Sequence, residues 1–398
     1  MMRLRLYLLI GFVSFLAHYS NAQEKKAPAP TQNEDLLDVL IKGLKLHTHP
    51  TPSRKKKIDF SVMPVSTTGV AEGNKVLVSS INIAFTMGGR DSTFLSSIFL
   101  LPYTNFYRNI GVGTKQNLWT PNNNWNIPGE FRISSLAQYT YGLGGNTPVS
   151  NKVQLDYKNV RIYLTGNRKL VRHFFAGIGF NFDRYYKITE SGSSTTPSAF
   201  EKYGIGTGPT SLSSGVTFNI LHDSRKNSIN PNHGFYYTLI YRINPTFMKN
   251  LNQWTSLYAD VRKYISLPSD KRKILAFWGM YWGAYGSVPY FNLPGTELEF
   301  GGRSGRGYAQ GRFRGKQMLY AESEYRFDIS ANKLFGGVLF ANAESFTEPT
   351  TNRFQTIAPA AGFGARIKFN SKSDTNLTLD FGFGKNSFGF YIGLGEFF

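Results

Sequence analysis

The residues from 299 to 315 read EFGGRSGRGYAQGRFRG, four arginines among six glycines. Such a segment is too rich in glycine for a helix or an ordinary strand. Its guanidinium groups, spaced at Arg303, Arg306, Arg312 and Arg314, need anionic or carbonyl partners wherever water is scarce. Three chemistries fit that composition: a phosphate cradle, an arginine-glycine segment that binds RNA, and a loop that folds into a tight polar space. The first lacks the glycine spacing and the following Lys-Ser/Thr of a phosphate-binding loop. The second is expected as disordered repeats, and a basic patch alone is not specific for nucleic acid.

Nothing else in the chain offers catalysis. The histidines are His18, His47, His49, His173, His222 and His233, scattered through the sequence, and no G-x-S-x-G elbow stands near a plausible triad. There is no cysteine, which excludes disulfides and thiolate metal sites. The expectation is a protein without enzymatic activity, cofactor or metal.

The amino-terminal residues indicate export. Arg3 and Arg5 precede the apolar run LYLLIGFVSFLA, and Ser20-Asn21-Ala22 supplies small residues before Gln23. This reads as a signal peptide over residues 1–22, because the run is shorter than the ~20 residues of a spanning helix. Residues 23–57 read as a periplasmic tether. Within it, Leu36, Leu37, Leu40, Ile41 and Leu44 share one face of a short amphipathic helix over 33–46, with acids early and lysines late.

From Ile58 onward the pattern is that of strands. Aromatic residues make up 15% of the chain and glycines number 40, yet no apolar run there is long enough for a spanning helix. Leu377, Leu379, Phe381 and Phe383 alternate with Thr378, Asp380 and Gly382. Phe388, Phe390, Ile392, Leu394 and Phe398 likewise form one face of the last segment. Apolar residues facing one way and small or polar ones the other, in segments often longer than soluble strands, fit a membrane barrel. A closed barrel is the one sheet whose backbone can face lipid without unpaired groups.

Sixteen strands are expected, near 58–66, 75–88, 92–102, 106–119, 129–142, 153–166, 171–188, 210–223, 234–245, 254–267, 272–288, 316–328, 335–346, 358–369, 376–384 and 388–398. The fold class is therefore all-β, a sixteen-stranded antiparallel transmembrane barrel over residues 58–398. An even count puts both ends of the barrel in the periplasm. The long loops around 189–209, 289–315 and 347–357 then face the cell exterior. Gly166-Asn167-Arg168-Lys169 reads as a short periplasmic turn. The outward phase of Phe398 reads as a carboxy-terminal assembly signal of bacterial outer-membrane barrels.

On this count the glycine-arginine stretch is the sixth extracellular loop. There it resembles the loop-six motif of the BamA/TamA superfamily of outer-membrane assembly and translocation barrels, through Gly301-Gly302, Arg306-Gly307-Tyr308 and Gly311-Arg312. A second motif, Asp223, Arg225, Pro231 and Gly234, is similar to the family's D-x-R…P-x-x-G periplasmic turn. The resemblance implies that loop six folds into the lumen and that Arg306 meets acids on strands twelve and thirteen. Glu324 matches the strand-twelve acid and shares a face with Glu322 and Arg326. Asn342 stands where many members have Asp, and Glu344 on the same face is the nearest substitute. Arg303 and Arg314 are expected to be more exposed than Arg306.

The family's periplasmic transport-associated domains need roughly 75–80 residues each, and the tether is too short for one, so a separate periplasmic or outer-membrane partner protein is expected. The formal charge, +20 overall and about +18 without Arg3 and Arg5, suits contact with anionic outer-membrane lipid. Nucleic acid is not an expected partner. The resemblance implies insertion, translocation or export of a protein or lipid client in the outer membrane of a Gram-negative bacterium. A scaffold barrel that binds a partner and a passive pore remain as alternatives.

Overall fold

The computed structural model describes residues 35–36, 58–64, 77–89, 92–104, 109–193, 197–267, 270–299, 302–371 and 374–398. The signal peptide and most of the tether, including all but two residues of the expected helix, lie outside these. Asp35 is described, and its carboxylate accepts hydrogen bonds from the Ser371 backbone N–H and hydroxyl, both at 3.0 Å.

Each strand pairs antiparallel with the next in the chain. The strands are β1 (Ile58–Pro64), β2 (Leu77–Phe85), β3 (Ser96–Thr104), β4 (Ile110–Trp119), β5 (Trp125–Thr140), β6 (Val153–Val171), β7 (Phe174–Ser191) and β8 (Thr210–Asp223). They continue as β9 (Gly234–Asn244), β10 (Trp254–Leu267), β11 (Asp270–Gly286), β12 (Gln317–Asp328), β13 (Phe335–Thr347), β14 (Phe354–Asn370), β15 (Thr375–Gly384) and β16 (Ser387–Leu394). The sheet order follows the chain, so β1 and β16 are its two edges.

One turn differs from expectation. Gly166-Asn167-Arg168-Lys169 is turn-like in composition but lies within β6, paired with Ile178, Gly177, Ala176 and Phe175 of β7. The reversal comes later, at Arg172-His173, where His173 takes a left-handed φ of 62°. Asn167 is held in the strand by donating to the Asn126 side chain of β5, 3.2 Å away. A cross-strand partner outweighs local turn propensity here.

The two faces of the sheet have opposite chemistry. On β12, Met318, Tyr320, Glu322, Glu324 and Arg326 are buried while Leu319 is exposed. The outward face is largely apolar among the described residues, with exposed Phe218, Leu239, Phe277, Leu339 and Phe363. Across β14, β15 and β16 it carries a phenyl ladder. Phe363 pairs with Phe381 and Phe381 with Phe390, at ring distances of 5.6 and 4.9 Å. Such cross-strand aromatic pairs stabilise a sheet, and an outward apolar face over a polar inward one is the pattern of a barrel in lipid.

Contacts from the long β11–β12 connection show that the sheet curls. Asn292 in that connection bonds to β7 and β8, and Arg306, fourteen residues on, bonds to β12 and β15. A flat sheet could not offer strands so far apart in order to one short segment. The apolar core is thus not between layers but inside the curl. It comprises one cluster around Tyr185, Trp254, Tyr290 and Phe291, another around Trp278, Tyr308, Phe313 and Phe346, and a smaller one of Trp119, Phe175 and Leu221.

The exposed face sets a depth-dependent expectation. Phe363→Arg, near the middle of β14, is expected to cost about 2–4 kcal/mol and Gln355→Arg, near its end, under about 1 kcal/mol. Urea unfolding in phospholipid vesicles measures both; equal costs would contradict a lipid-facing role for Phe363.

Candidate functional site

The inward face of β12 places Glu322 and Glu324 two residues apart, so both carboxylates point into the curl. Loop six, the β11–β12 connection, brings Arg306 to them. The Arg306 Nε donates to Glu322 Oε1 at 2.9 Å, its Nη2 donates to both Glu322 and Glu324, and its Nη1 donates to Asp380 Oδ2 of β15 at 3.0 Å. The guanidinium lies between two rings, 3.6 Å from the Phe340 centroid and 4.0 Å from that of Phe397. Arg306 is fully buried. Planar, five-donor geometry suits this site; a lysine ammonium would satisfy neither the three carboxylates nor the stacking.

Two further arginines extend the cluster. Arg326 Nε donates to Glu324 Oε2 at 2.6 Å. Arg366 of β14 donates from Nη1 to Asp380 Oδ1 at 2.6 Å and from Nε to Glu396 Oε2 at 2.8 Å. Three guanidiniums therefore alternate with four carboxylates, and Tyr320 donates its hydroxyl to Glu322.

The residues beside Arg306 are fixed by backbone needs. Gly307 has a φ of +109°, and a Cβ there would meet the Ala360 Cβ at 2.9 Å and the Gly384 nitrogen at 3.1 Å. Only glycine fits such a turn so close to another strand. The Gly307 N–H donates to the Tyr391 hydroxyl of β16 at 2.9 Å. Tyr308 donates to the Pro359 carbonyl at 2.7 Å and accepts from the Lys385 N–H.

Of the acids proposed for Arg306, Glu324 is a direct partner. Asn342 is close but binds the backbone, its Nδ2 donating to the Arg306 carbonyl at 3.0 Å. Glu344 accepts from Thr296 instead, at 3.0 Å, and so braces the loop upstream. The place it was expected to fill is taken by Glu322 and Asp380. Asp380 and Glu396 were not singled out in the sequence. For Asp380 the signal was there to read, since an ionisable residue on the inward face of a spanning strand calls for a partner by default; Glu396 has outward parity and turns inward only because β16 ends at Leu394.

Arg303 is exposed as expected, although its Nη1 donates to the carbonyls of Glu396 and Phe397 at 2.7 and 2.6 Å. Arg314 is not exposed. It is buried, with Nη1 donating to the Tyr290 carbonyl at 2.7 Å and its guanidinium 4.7 Å from the Tyr290 ring. Loop six has to close on itself, and Arg314 stitches its end to its beginning. That beginning is a second anchor: Asn292 donates to Asp183 Oδ2 of β7 at 3.1 Å and accepts from Ser213 of β8 at 2.8 Å. Asp183 is also held by Arg161, Arg242 and Tyr163.

The turn between β8 and β9 has its own ion pair. Asp223 accepts from the Arg225 backbone N–H, Nε and Nη2 at 3.0, 2.9 and 2.8 Å, and Gly234 opens β9. The Pro231 carbonyl accepts from Arg326 Nη1 at 3.4 Å, so both motifs meet at one arginine.

The last residues depart from the expected phase. Phe388, Phe390, Ile392 and Leu394 do share a face of β16, opposite Phe383, Phe381, Leu379 and Leu377. Phe398 does not join them; it is 3% exposed, with its ring 5.4 Å from Trp278 and 6.2 Å from Tyr264 inside the curl. The strand ends at Leu394, and Gly395 at a φ of +79° turns the chain inward. Alternation holds only while the backbone stays extended. The inward segment is clasped on three sides. The Glu396 N–H donates to the Ile229 carbonyl of the β8–β9 turn at 2.8 Å. Arg326 Nη2 donates to the Phe398 oxygen at 3.0 Å, and Arg303 of loop six holds the two carbonyls already named.

No protein-family model matches the chain. No curated relative matches it either. Solved structures do. BamA from Haemophilus ducreyi lacking POTRA domains 1–3 aligns with a TM-score of 0.51 at 14% identity, over 85% of this chain and 75% of that one. CdiB from Acinetobacter baumannii aligns with a TM-score of 0.55 at 13% identity, over 85% of this chain and 60% of that one. The fold is that of the BamA and CdiB barrels. CdiB from Escherichia coli aligns similarly, with a TM-score of 0.51 at 9% identity, over 61% of its length. The chain thus spans about three fifths of the CdiB proteins.

Removing Arg306 leaves three buried carboxylates without their shared cation. Arg306→Ala is expected to destabilise by about 3–5 kcal/mol and to open loop six to protease. Combined with Glu324→Ala, the loss is expected to fall short of the sum of the singles by about 0.5–3 kcal/mol. Denaturant titration with limited proteolysis tests this; strict additivity would mean that the two side chains do not interact.

Proposed function

We propose that this chain is a sixteen-stranded outer-membrane barrel that handles a protein client, inserting it into the membrane or passing it across, with loop six held in its lumen. The observation that carries the reading is the Arg306 cluster. It ties loop six to β12 and β15, while Gly307 binds β16, so the loop is fastened to the strand at one edge of the sheet. The likeness of fold to BamA and CdiB supports it, as does the resemblance of the two motifs to the BamA/TamA superfamily.

On this reading the seam between β1 and β16 is the client's place of entry. β16 is short, eight residues against seventeen in β14, and its end has left the sheet for the interior. A short edge strand with few ladder bonds is the cheapest one to part from a neighbour. A passive pore fits less well, because loop six is packed on opposite walls and occupies the space a pore would need. The described part of the tether, at Asp35, sits by the β14–β15 turn, where a periplasmic partner protein would meet the barrel.

Photo-crosslinking in native outer membranes tests the reading. A photoreactive residue at Phe388 or Phe390, on the outward face of β16, is expected to capture a polypeptide. The same residue at Phe277, on the outward face of β11, is expected to capture lipid alone. Identical lipid-only products at all three positions would overturn client handling and leave a solitary barrel.

A further inference from the structure

The outward face of β9 does not end with the strand. Leu239 and Tyr241 are exposed there, Ile243 follows in phase, and the chain then enters the β9–β10 connection, Pro245 to Gln253. Phe247 and Leu251 in that connection are 85% and 82% exposed, more than any described apolar side chain on the strands. Met248 lies between them and is partly covered; Lys249 is exposed, and the connection contains no acid.

The connection is not loose. Asn250 is buried and replaces a missing strand neighbour of β8. Its Oδ1 accepts from the Ser214 N–H at 2.7 Å, and its Nδ2 donates to the carbonyls of Ser214 and Pro245 at 2.7 and 2.6 Å. Residues 246–248 form a 3-10 turn, and Lys249 takes a φ of 63°. The backbone is therefore fixed while its two apolar side chains project. Single exposed apolar residues are ordinary on a protein surface. Two that continue a lipid-facing stripe, on a pre-ordered loop with a cation between them, match an interfacial anchor.

We propose that the β9–β10 connection is a membrane anchor, with Phe247 and Leu251 inserted in the outer leaflet and Lys249 at the level of its anionic headgroups. The occupant is lipid rather than protein because the patch is continuous with the apolar belt of β9. The Lys249 ammonium beside an anionic leaflet adds attraction. The inference rests on the outer-membrane orientation proposed above, which puts this connection on the exterior side. Anchoring on β9, away from the β1 and β16 edges, would hold that wall still while the seam parts.

The absence of cysteine makes single-cysteine labelling clean. The full chain is folded into phosphatidylcholine–phosphatidylglycerol vesicles carrying nitroxide lipids labelled near the headgroup and, in a parallel preparation, deep in the acyl chain. A small fluorophore is placed at F247C, L251C, L239C on the strand face, or N352C in the exposed β13–β14 connection. Labels at 247 and 251 are expected to be quenched by the nitroxide lipid and several-fold less by aqueous iodide than the label at 352. If 239 is quenched by lipid while 247 and 251 behave like 352, the anchor is wrong and the membrane reading stands. If 239 also escapes lipid quenching, the membrane reading fails and the anchor with it. Shielding at 247 that grows with protein concentration, without lipid quenching, would assign the patch to a second copy and overturn the proposal.

Discussion

Charge buried away from water has to be paired, and that requirement organises this protein. Four carboxylates, Glu322, Glu324, Asp380 and Glu396, share three guanidiniums, Arg306, Arg326 and Arg366. Two of the arginines and all four acids come from the strands or the residues just after β16. The remaining cation has to be delivered by a loop, and this is why loop six is long, turns sharply and carries glycine on either side of Arg306. Pairing of this kind adds little net stability relative to a well-packed apolar core, yet losing one member is costly. The cluster therefore selects one arrangement of loop and wall over others more than it adds to the total.

The same requirement appears on the opposite wall. Asp183 gathers Arg161, Arg242 and Tyr163 and then takes Asn292 from the start of loop six. A neutral amide suffices there because the two arginines already balance the acid. Loop six is thus fastened by charge near its middle and by an amide near its beginning, with Arg314 closing its end on Tyr290. Displacing the loop as a rigid unit would break both walls' contacts at once. Movement confined to the Arg306 half would leave the Asn292 anchor in place.

Much of this was legible in the sequence because alternation and motif chemistry are local. The strand positions and the inward face of β12 follow from period-two patterning, and the pairing of Arg306 with Glu324 from the resemblance of the loop-six motif. What escaped was nonlocal. The run from Gly166 to Lys169 has turn composition, but its neighbours on β5 and β7 hold it extended. Phe398 has the right parity for the outer face, but parity lapses once Gly395 turns the chain. Arg314 sits in the same glycine-rich stretch as Arg303, and only the closure of the loop buries one and not the other. Asp380 was read as a polar residue of β15, while one of its two arginines, Arg306, arrives from the loop before β12 and only Arg366 comes from the neighbouring strand.

The inward turn at Gly395 connects the cluster to the sheet's edge. Arg326 bonds Glu324, the Pro231 carbonyl and the Phe398 oxygen, so it joins the loop-six cluster to the β8–β9 turn and to the residues after β16. Arg303 and the Phe397 ring close the same circuit from the loop's side, with Phe397 stacked on the Arg306 guanidinium. If β16 moved away from its neighbours, these contacts could not all persist, since the segment following it is held by three separate elements. Conversely, while Arg306 keeps its carboxylates, Phe397 has a charged plane to stack on and the segment stays inside. Each side of the circuit therefore biases the other, which is the physical content of coupling between a lumen loop and an edge strand. The short segment from Gly395 to Phe398 is the piece through which loop six and the edge strand are tied.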